Sequence, residues 1–243
     1  MDTILNYSFN FDIKKRKPKD IKFIIFHYTG MKKETDAINR LTKEASKVSS
    51  HYLIKNNGEI LTLVPDAYIA WHAGISSWKN YISLNKYSIG IEISNPGHDY
   101  KYKKFNYKQI NSIVKLSKFL IKKYKIKSNF VLGHSDISPN RKKDPGEKFP
   151  WHYLSKKNIG IWHDLEKKKL ITQRNLKLSK PEKKTFIQNL HLIGYSKNFK
   201  IKKINITKIL TIAFQRRFRQ ELINGIIDKE CLIISRKLIK KIK

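Results

Sequence analysis

Residues 22–29 have the sequence KFIIFHYT, an apolar run that ends in polar residues. A short apolar run rich in isoleucine and aromatic residues is typical of a buried strand. A second strand is predicted at Ser88–Ser94, where three isoleucines alternate with Gly90, Glu92 and Ser94. The short run Phe130–Gly133 is predicted to be a third strand. These strands form the expected interior of the fold.

Helical and hairpin patterns are distributed among these strands. Apolar residues recur at helical spacing in Thr35–Ala45 and over the longer segment Ile110–Tyr124. The sequence Asn56-Asn57-Gly58 separates the strand-like runs His51–Lys55 and Glu59–Val64, which predicts a β-hairpin with a type I′ turn. Strands and helices intermixed in this way predict an α/β fold with a central mixed β-sheet flanked by helices.

The last third of the chain has a different composition. A loop rich in Pro, Lys and Asp covers residues 138–150, and the polar, basic segment after Leu165 is typical of a linker. Helical patterns follow at Lys184–Leu192, Ile209–Leu222 and Lys229–Ile239. We therefore predict a catalytic domain at residues 1–165, a linker at 166–182 and a small three-helix domain at 183–243.

The chain is strongly basic, with 52 Lys and Arg against 19 Asp and Glu and a net charge of +33. Residues 166–243 alone hold 22 basic and 5 acidic residues. A field of this sign attracts polyanions such as nucleic acid, an anionic membrane or an acidic cell-wall polymer. The alternative is compositional drift, since Lys, Ile and Asn are abundant along the whole chain, as in proteins encoded by AT-rich genomes.

Cysteine content and the N-terminal segment bear on the compartment. Cys231 is the single cysteine, so an intrachain disulfide is excluded. Residues 1–20 contain no apolar run of signal-peptide length, and no stretch has the length of a transmembrane helix. The sequence therefore predicts a cytoplasmic protein, with periplasmic location or export by a non-standard route as the alternative. It makes no prediction about oligomeric state.

Three residues are candidate metal ligands. His27 and His134 each end a predicted strand, and Asp144 lies in the loop ten residues after His134. A catalytic zinc needs three protein ligands and an open fourth position for water, and two His with one carboxylate meet that need. Taken singly, a strand-end His is more often a hydrogen-bonded core residue, and an Asp before Pro-Gly is usually a turn residue.

These segments resemble the type 2 N-acetylmuramoyl-L-alanine amidases, which are relatives of the peptidoglycan recognition proteins. The resemblance extends from about Ile21 to Trp151, and the motifs occur in the family's order and spacing. They are IIFHYTG, VSSHYLIKNNGEI, AWHAGISSW, SIGIEISNPG and GHSDISPNRKKDPGEKFPW. The resemblance implies a central mixed sheet flanked by helices with a zinc cleft on one side. It also implies hydrolysis of the amide between the lactyl group of muramic acid and the first alanine of the stem peptide.

The resemblance also implies roles for individual residues. One zinc ion per chain would be held by His27, His134 and Asp144, and Glu92 would be the general base. Lys142 would stabilise the oxyanion; without the resemblance, a surface lysine in a very basic loop would be the favoured interpretation. Trp71 and His72, in the motif AWHAG, would line the cleft and contact sugar or stem peptide, although the aromatic side chain could instead be core packing.

The C-terminal segment resembles the three-helix peptidoglycan-binding domain through LIGY at residues 192–195, AFQRRF at 213–218 and a trailing Gly225 and Asp228. The alternative is a helical extension whose Phe214 and Phe218, one turn apart, pack on the catalytic domain. Expected partners are peptidoglycan or muropeptides. A competing function is a non-catalytic peptidoglycan-binding module. Specific nucleic-acid binding is not expected, because no helix-turn-helix, zinc-finger or RNA-recognition signature is visible.

Overall fold

The computed structural model describes residues 3–196 and 205–242. In these residues the strands are Ile4–Leu5 (β1), Phe11–Asp12 (β2), Phe23–Tyr28 (β3), Tyr52–Ile54 (β4), Ile60–Thr62 (β5), Ile69–Ala70 (β6), Ser77–Trp78 (β7), Tyr81–Ile82 (β8), Ser88–Ile93 (β9) and Val131–Gly133 (β10). The α-helices are Glu34–Thr42 (α1), Tyr107–Tyr124 (α2), His134–Ile137 (α3), Trp151–Ser155 (α4), Lys167–Ile171 (α5), Lys180–Ile193 (α6), Ile206–Phe218 (α7) and Lys229–Ile242 (α8). None of these helices combines the length and apolar character needed to cross a bilayer.

A mixed sheet forms the centre of the described structure, in the order β1-β5-β4-β9-β3-β10. All neighbouring strands in it are parallel except β4 and β5. The predicted mixed α/β sheet is therefore confirmed, and the three strands predicted first, β3, β9 and β10, are adjacent in it.

The predicted hairpin is confirmed, because β4 and β5 pair in antiparallel register. The predicted type I′ turn is wrong. Such a turn needs positive φ at both central residues, and here only Gly58 has it, at φ 87°. The Gly58 amide donates to the Lys55 carbonyl and the Lys55 amide to the Glu59 carbonyl. The loop therefore spans three residues and places its single left-handed residue at the glycine.

The two faces of the sheet carry different side chains. The three isoleucines of β9 pack in one core cluster with Ile113, Leu116 and Leu120 of α2. Helix α2 begins at a capping box in which the Asn106 and Gln109 side chains bind each other's backbone amides. By strand alternation, Ser88, Gly90 and Glu92 lie on the opposite face. The polar residues of β9 therefore share one face of the sheet.

The C-terminal helices α6, α7 and α8 pack against that second face. Phe186, Phe214 and Phe218 belong to the same core cluster as Phe23 and Ile25 of β3. The segment predicted as a linker contains α5 and the start of α6, with buried leucines at positions 170 and 178. The three predicted helices are thus present and share a core with the sheet, whereas the proposed division into functional domains stays a prediction.

Candidate metal centre

Three buried side chains meet at one end of the sheet. Gly133 is the register partner of Phe26 in the parallel β10–β3 pair, so the next residues, His134 and His27, end up side by side. Their Nδ1 atoms are 2.9 Å apart. The Oδ2 atom of Asp144 is 3.0 Å from each Nδ1. The structure thus brings together all three predicted ligands, in a group that could hold a metal ion.

The loop that carries Asp144 folds back onto the sheet. The Ser135 amide donates to the Asp144 carbonyl at 2.8 Å, which places the aspartate beside the first turn of α3. Pro145 packs against Gly133 so closely that a Cβ on the glycine would lie 2.6 Å from the proline Cδ. A side chain at position 133 would therefore push the Asp144 loop away from the two histidines.

The second ring nitrogens of both histidines have partners of their own. His134 Nε2 lies 3.1 Å from the Ala73 carbonyl, which only accepts, so Nε2 carries a proton and Nδ1 presents a lone pair to its neighbours. His27 Nε2 lies 3.0 Å from His72 Nδ1. Burial, reinforced by His134, lowers the pKa of His27 to about 4, so its ring is neutral near pH 7. Neutral imidazole is the form that binds metals.

The electrostatics of the site favour an ionised aspartate. Burial raises the pKa of Asp144, but the electrostatic influence of the adjacent His134 and His27 rings outweighs it and holds that pKa well below its ordinary value. Two imidazole nitrogens and a carboxylate oxygen form a donor set that suits a divalent transition metal ion. The described residues therefore provide three ligand atoms in the protonation state that a metal requires.

Glu92 lies beside this group. It is the register partner of His27 on the adjacent strand β9. Its Oε2 atom is buried and has no hydrogen-bond partner among the described residues. Burial, and then the charge of Asp144, raise the pKa of Glu92 to about 8, and Lys142 opposes this shift. A carboxyl group with a pKa near neutrality can both accept and donate a proton.

A cleft of about 600 Å³ opens over the group and is lined by Glu92, Lys142 and Trp71 as well as the ligand residues. Lys142 is half-buried there. The Trp71 indole N–H donates to Asp12 Oδ1 at 2.8 Å, so one edge of the ring is fixed. His72 also lines the cleft, but it is buried, and both of its ring nitrogens have partners within the protein.

Sequence reasoning missed two residues that support the site. Arg141 donates from Nη2 to the carbonyls of Ala73 and Ile75 and, at 3.1 Å, to Ser138 Oγ, so it ties the Asp144 loop to residues 73–75. Ser88 binds the His72 ring at 3.1 Å. The alternation of β9 placed Ser88 on the same face as Glu92, and that was the one sequence signal that could have identified it.

The family model for N-acetylmuramoyl-L-alanine amidase matches residues 17–147, a range that contains the three candidate metal ligands, Glu92 and Lys142. This chain belongs to the N-acetylmuramoyl-L-alanine amidase family. It is 34% identical over 233 residues to N-acetylmuramoyl-L-alanine amidase AmiD of Escherichia coli. The aligned residues cover 91% of this chain and 83% of the relative. It is 33% identical over 161 residues to 1,6-anhydro-N-acetylmuramyl-L-alanine amidase AmpD of Haemophilus influenzae, covering 58% and 85% of the two chains.

Two solved amidase structures match nearly the whole chain. Escherichia coli AmiD, in complex with anhydro-N-acetylmuramic acid-L-Ala-D-γ-Glu-L-Lys, superposes with a TM-score of 0.79 at 33% identity and covers 91% of this chain and 90% of its own. AmpDh3 of Pseudomonas aeruginosa, in complex with an anhydromuramic pentapeptide, superposes with a TM-score of 0.79 at 29% identity and covers 98% of both chains. Because these matches extend beyond residue 147, the C-terminal helices are part of the shared fold of these amidases.

Proposed function

We propose that this protein is a zinc-dependent amidase that cuts the bond between the lactyl group of muramic acid, or its 1,6-anhydro form, and L-alanine. The observation that carries the proposal is the meeting, in one cleft, of three buried candidate ligand atoms and the Glu92 carboxyl group, whose Oε2 atom has no hydrogen-bond partner among the described residues. The two solved relatives that match over nine-tenths of this chain are complexes with anhydromuramyl peptides, which supports the substrate class.

The three ligand atoms fit zinc. Ligand atoms at about 2.0–2.2 Å from a tetrahedral zinc ion lie roughly 3.3–3.6 Å from one another. The three separations here are 2.9, 3.0 and 3.0 Å, so small side-chain movements would accommodate the ion. The donors are Nδ1 of His27, Nδ1 of His134 and Oδ2 of Asp144. Three protein ligands leave the fourth tetrahedral position free, as in catalytic rather than structural zinc sites.

A bound zinc ion supplies Lewis-acid chemistry, which acidifies water and polarises a carbonyl group. Glu92 accepts a proton from the water that attacks the lactyl carbonyl carbon. As the carbon–nitrogen bond breaks, Glu92 returns that proton to the alanine nitrogen, so the products are a lactyl carboxylic acid and a free amine. The Lys142 ammonium group stabilises the negative charge that develops on the carbonyl oxygen.

The experiment that tests this proposal compares metal-free and zinc-reconstituted protein on a purified anhydromuramyl peptide, with products followed by liquid chromatography. We expect no hydrolysis after chelation and full recovery with one zinc per chain. Undiminished hydrolysis in verified metal-free protein would refute the metal assignment. Binding of the peptide without hydrolysis by the zinc-loaded protein would favour the competing function, a non-catalytic binding module.

We also propose that the basic C-terminal region, residues 183–243, helps to hold the enzyme on polymeric wall. Phe214 and Phe218 are buried in the shared core, so the outer charged surface of the helices is the candidate contact. Charge attraction of this kind weakens with added salt. Substituting exposed lysines of α8 should reduce sedimentation with insoluble peptidoglycan and leave hydrolysis of small muropeptides unchanged. Unchanged sedimentation would contradict the proposal.

A further inference from the structure

We propose that His72 and Ser88 are positioning residues that fix His27 in the tautomer whose Nδ1 lone pair faces the metal. This inference rests on the metal site proposed above. A histidine ligand has two nitrogens, and the partner of the nitrogen outside the metal sphere decides which one carries the proton. For His27 that partner is His72, whose own proton position is fixed by Ser88.

The Leu84 carbonyl, the last acceptor in this series of hydrogen bonds, fixes the direction of the others. The Ser88 hydroxyl has one proton, and it donates that proton to the Leu84 carbonyl at 2.6 Å, because a carbonyl only accepts. Toward His72 Nε2, at 3.1 Å, Ser88 Oγ can therefore only accept. His72 Nε2 must then carry a proton.

The same reasoning extends one step further, to His27. A neutral His72 ring has one proton, which is on Nε2, so its Nδ1 is an acceptor. His27 Nε2, 3.0 Å away, must donate to it. The proton of the neutral His27 ring is then committed to Nε2, and Nδ1 is left with a lone pair. That Nδ1 is the atom 2.9 Å from His134 and 3.0 Å from Asp144.

The packing around His72 holds the ring in this position. A Cβ on Gly90 would lie 2.4 Å from His72 Cγ and 2.6 Å from its Nδ1, so the ring lies directly on the glycine backbone. The Asn85 Oδ1 atom accepts hydrogen bonds from the backbone amides of His72 and Ala73 at 3.1 and 2.7 Å. The Ala73 carbonyl in turn accepts from His134 Nε2. The dipeptide His72-Ala73 thus sets the tautomers of both metal-binding histidines.

The first test compares zinc affinity in two matched serine variants. Ser235 is buried like Ser88; it donates to the Leu232 carbonyl and accepts from Asn189 Nδ2, but it lies on α8 away from the site. Ser88→Ala and Ser235→Ala therefore lose the same kinds of hydrogen bond. In a chelator-competition titration we expect Ser88→Ala to bind zinc about 10-fold more weakly, the low end of the usual cost of losing an outer-shell partner, because Ser88 acts through His72. We expect no change for Ser235→Ala. Equal zinc affinity in the two variants would overturn the proposal.

A second pair of variants covers the case in which Ser88→Ala does not fold. In His72→Asn the Oδ1 atom takes the place of Nδ1 as an acceptor for His27, whereas His72→Leu offers none. We expect the Asn variant to bind zinc more tightly than the Leu variant. Equal affinities of the two variants would contradict the inference.

The protonation of His72 can also be read directly. Nitrogen-15 NMR of the zinc-loaded protein should show the His72 proton on Nε2. A proton on Nδ1 of His72 would reverse the direction of these hydrogen bonds and overturn the proposal irrespective of the variants. If the wild-type protein binds no zinc at all, the proposed function fails first, and this outcome is distinct from tight wild-type binding with unaffected variants.

Discussion

Arg217 forms a deeply buried link between helix α7 and the candidate metal site. Its Nη1 atom is 2.5 Å from Asp136 Oδ2, and its Nη2 atom donates to the Val131 carbonyl at 2.9 Å. The guanidinium also lies 3.9 Å from the centroid of the Trp151 ring. Asp136 is two residues after the proposed ligand His134, and its Oδ2 atom also accepts a hydrogen bond from the Gly133 amide. Helix α7 thus supports the turn that carries His134, a proposed metal ligand.

Arg217→Met keeps most of the side-chain volume and removes the charge. Arg217 and Asp136 are 2% and 1% exposed, so the variant leaves a buried carboxylate without its ionic partner. Removing one partner of such a pair costs about 3–5 kcal/mol of the free energy of unfolding. For a chain of this size each kcal/mol lowers the melting temperature by roughly 2–4 °C, so we expect a decrease of roughly 6–20 °C.

The assay is thermal unfolding by circular dichroism, combined with zinc titration at a temperature where every variant is folded. Arg219→Met is the matched control, because Arg219 is equally buried but pairs with Asp228 and Glu230 inside the C-terminal region. Both variants should unfold at lower temperature, and only Arg217→Met should also bind zinc more weakly. Combining Arg217→Met with Asp136→Asn should recover part of the lost stability, since no unpaired charge then remains buried.

A melting temperature for Arg217→Met within about 2 °C of wild type would mean that the pair contributes less than about 1 kcal/mol and would refute this reasoning. Equal zinc affinity in Arg217→Met and Arg219→Met would refute the link to the metal site and leave only a structural role.

Three further predictions concern the site itself. Glu92→Gln should bind zinc as wild type does but lose most of its turnover, because an amide cannot accept the proton of water; stopped assays on a muropeptide, together with metal analysis, check both parts. Lys142→Ala should also retain zinc and lose about 100–1,000-fold in kcat, as when one oxyanion donor is removed, and a near-wild-type kcat would disprove its role. His134→Ala should lose both zinc and activity, and elemental analysis showing one tightly bound zinc per chain would contradict its assignment as a ligand.

The strands, the helices and the candidate site residues could be predicted from the sequence, because they depend on local patterns or family motifs. His27 and His134 were identified because each ends a strand and lies in a family motif, and the structure places them in contact. The strand register brings their Nδ1 atoms within 2.9 Å of each other, and it could not be obtained from the spacing of the two residues in the sequence. The type I′ turn was wrong because Asn56-Asn57-Gly58 also fits a longer loop that needs only one left-handed residue.

Long-range contacts explain most of what the sequence left open. Arg217 and Asp136 are 81 residues apart in the chain, and no periodicity connects them. Phe214 and Phe218 were compatible both with a wall-binding motif and with packing, and only the fold shows that they contribute to the core of the sheet. The family motif predicts that His72 contacts substrate, whereas its hydrogen bonds to His27 and Ser88 join residues 45 and 16 positions apart in the chain.

The central claim is the identity of the bond that is cut. The most direct measurement is mass spectrometry of an anhydromuramyl peptide incubated with zinc-loaded protein in water enriched in heavy oxygen. We expect two products, a peptide with a free N-terminal alanine and an anhydromuramic acid whose new lactyl carboxylate carries the heavy oxygen. Intact substrate after prolonged incubation, or heavy oxygen at any other bond of the peptide or sugar, would contradict it.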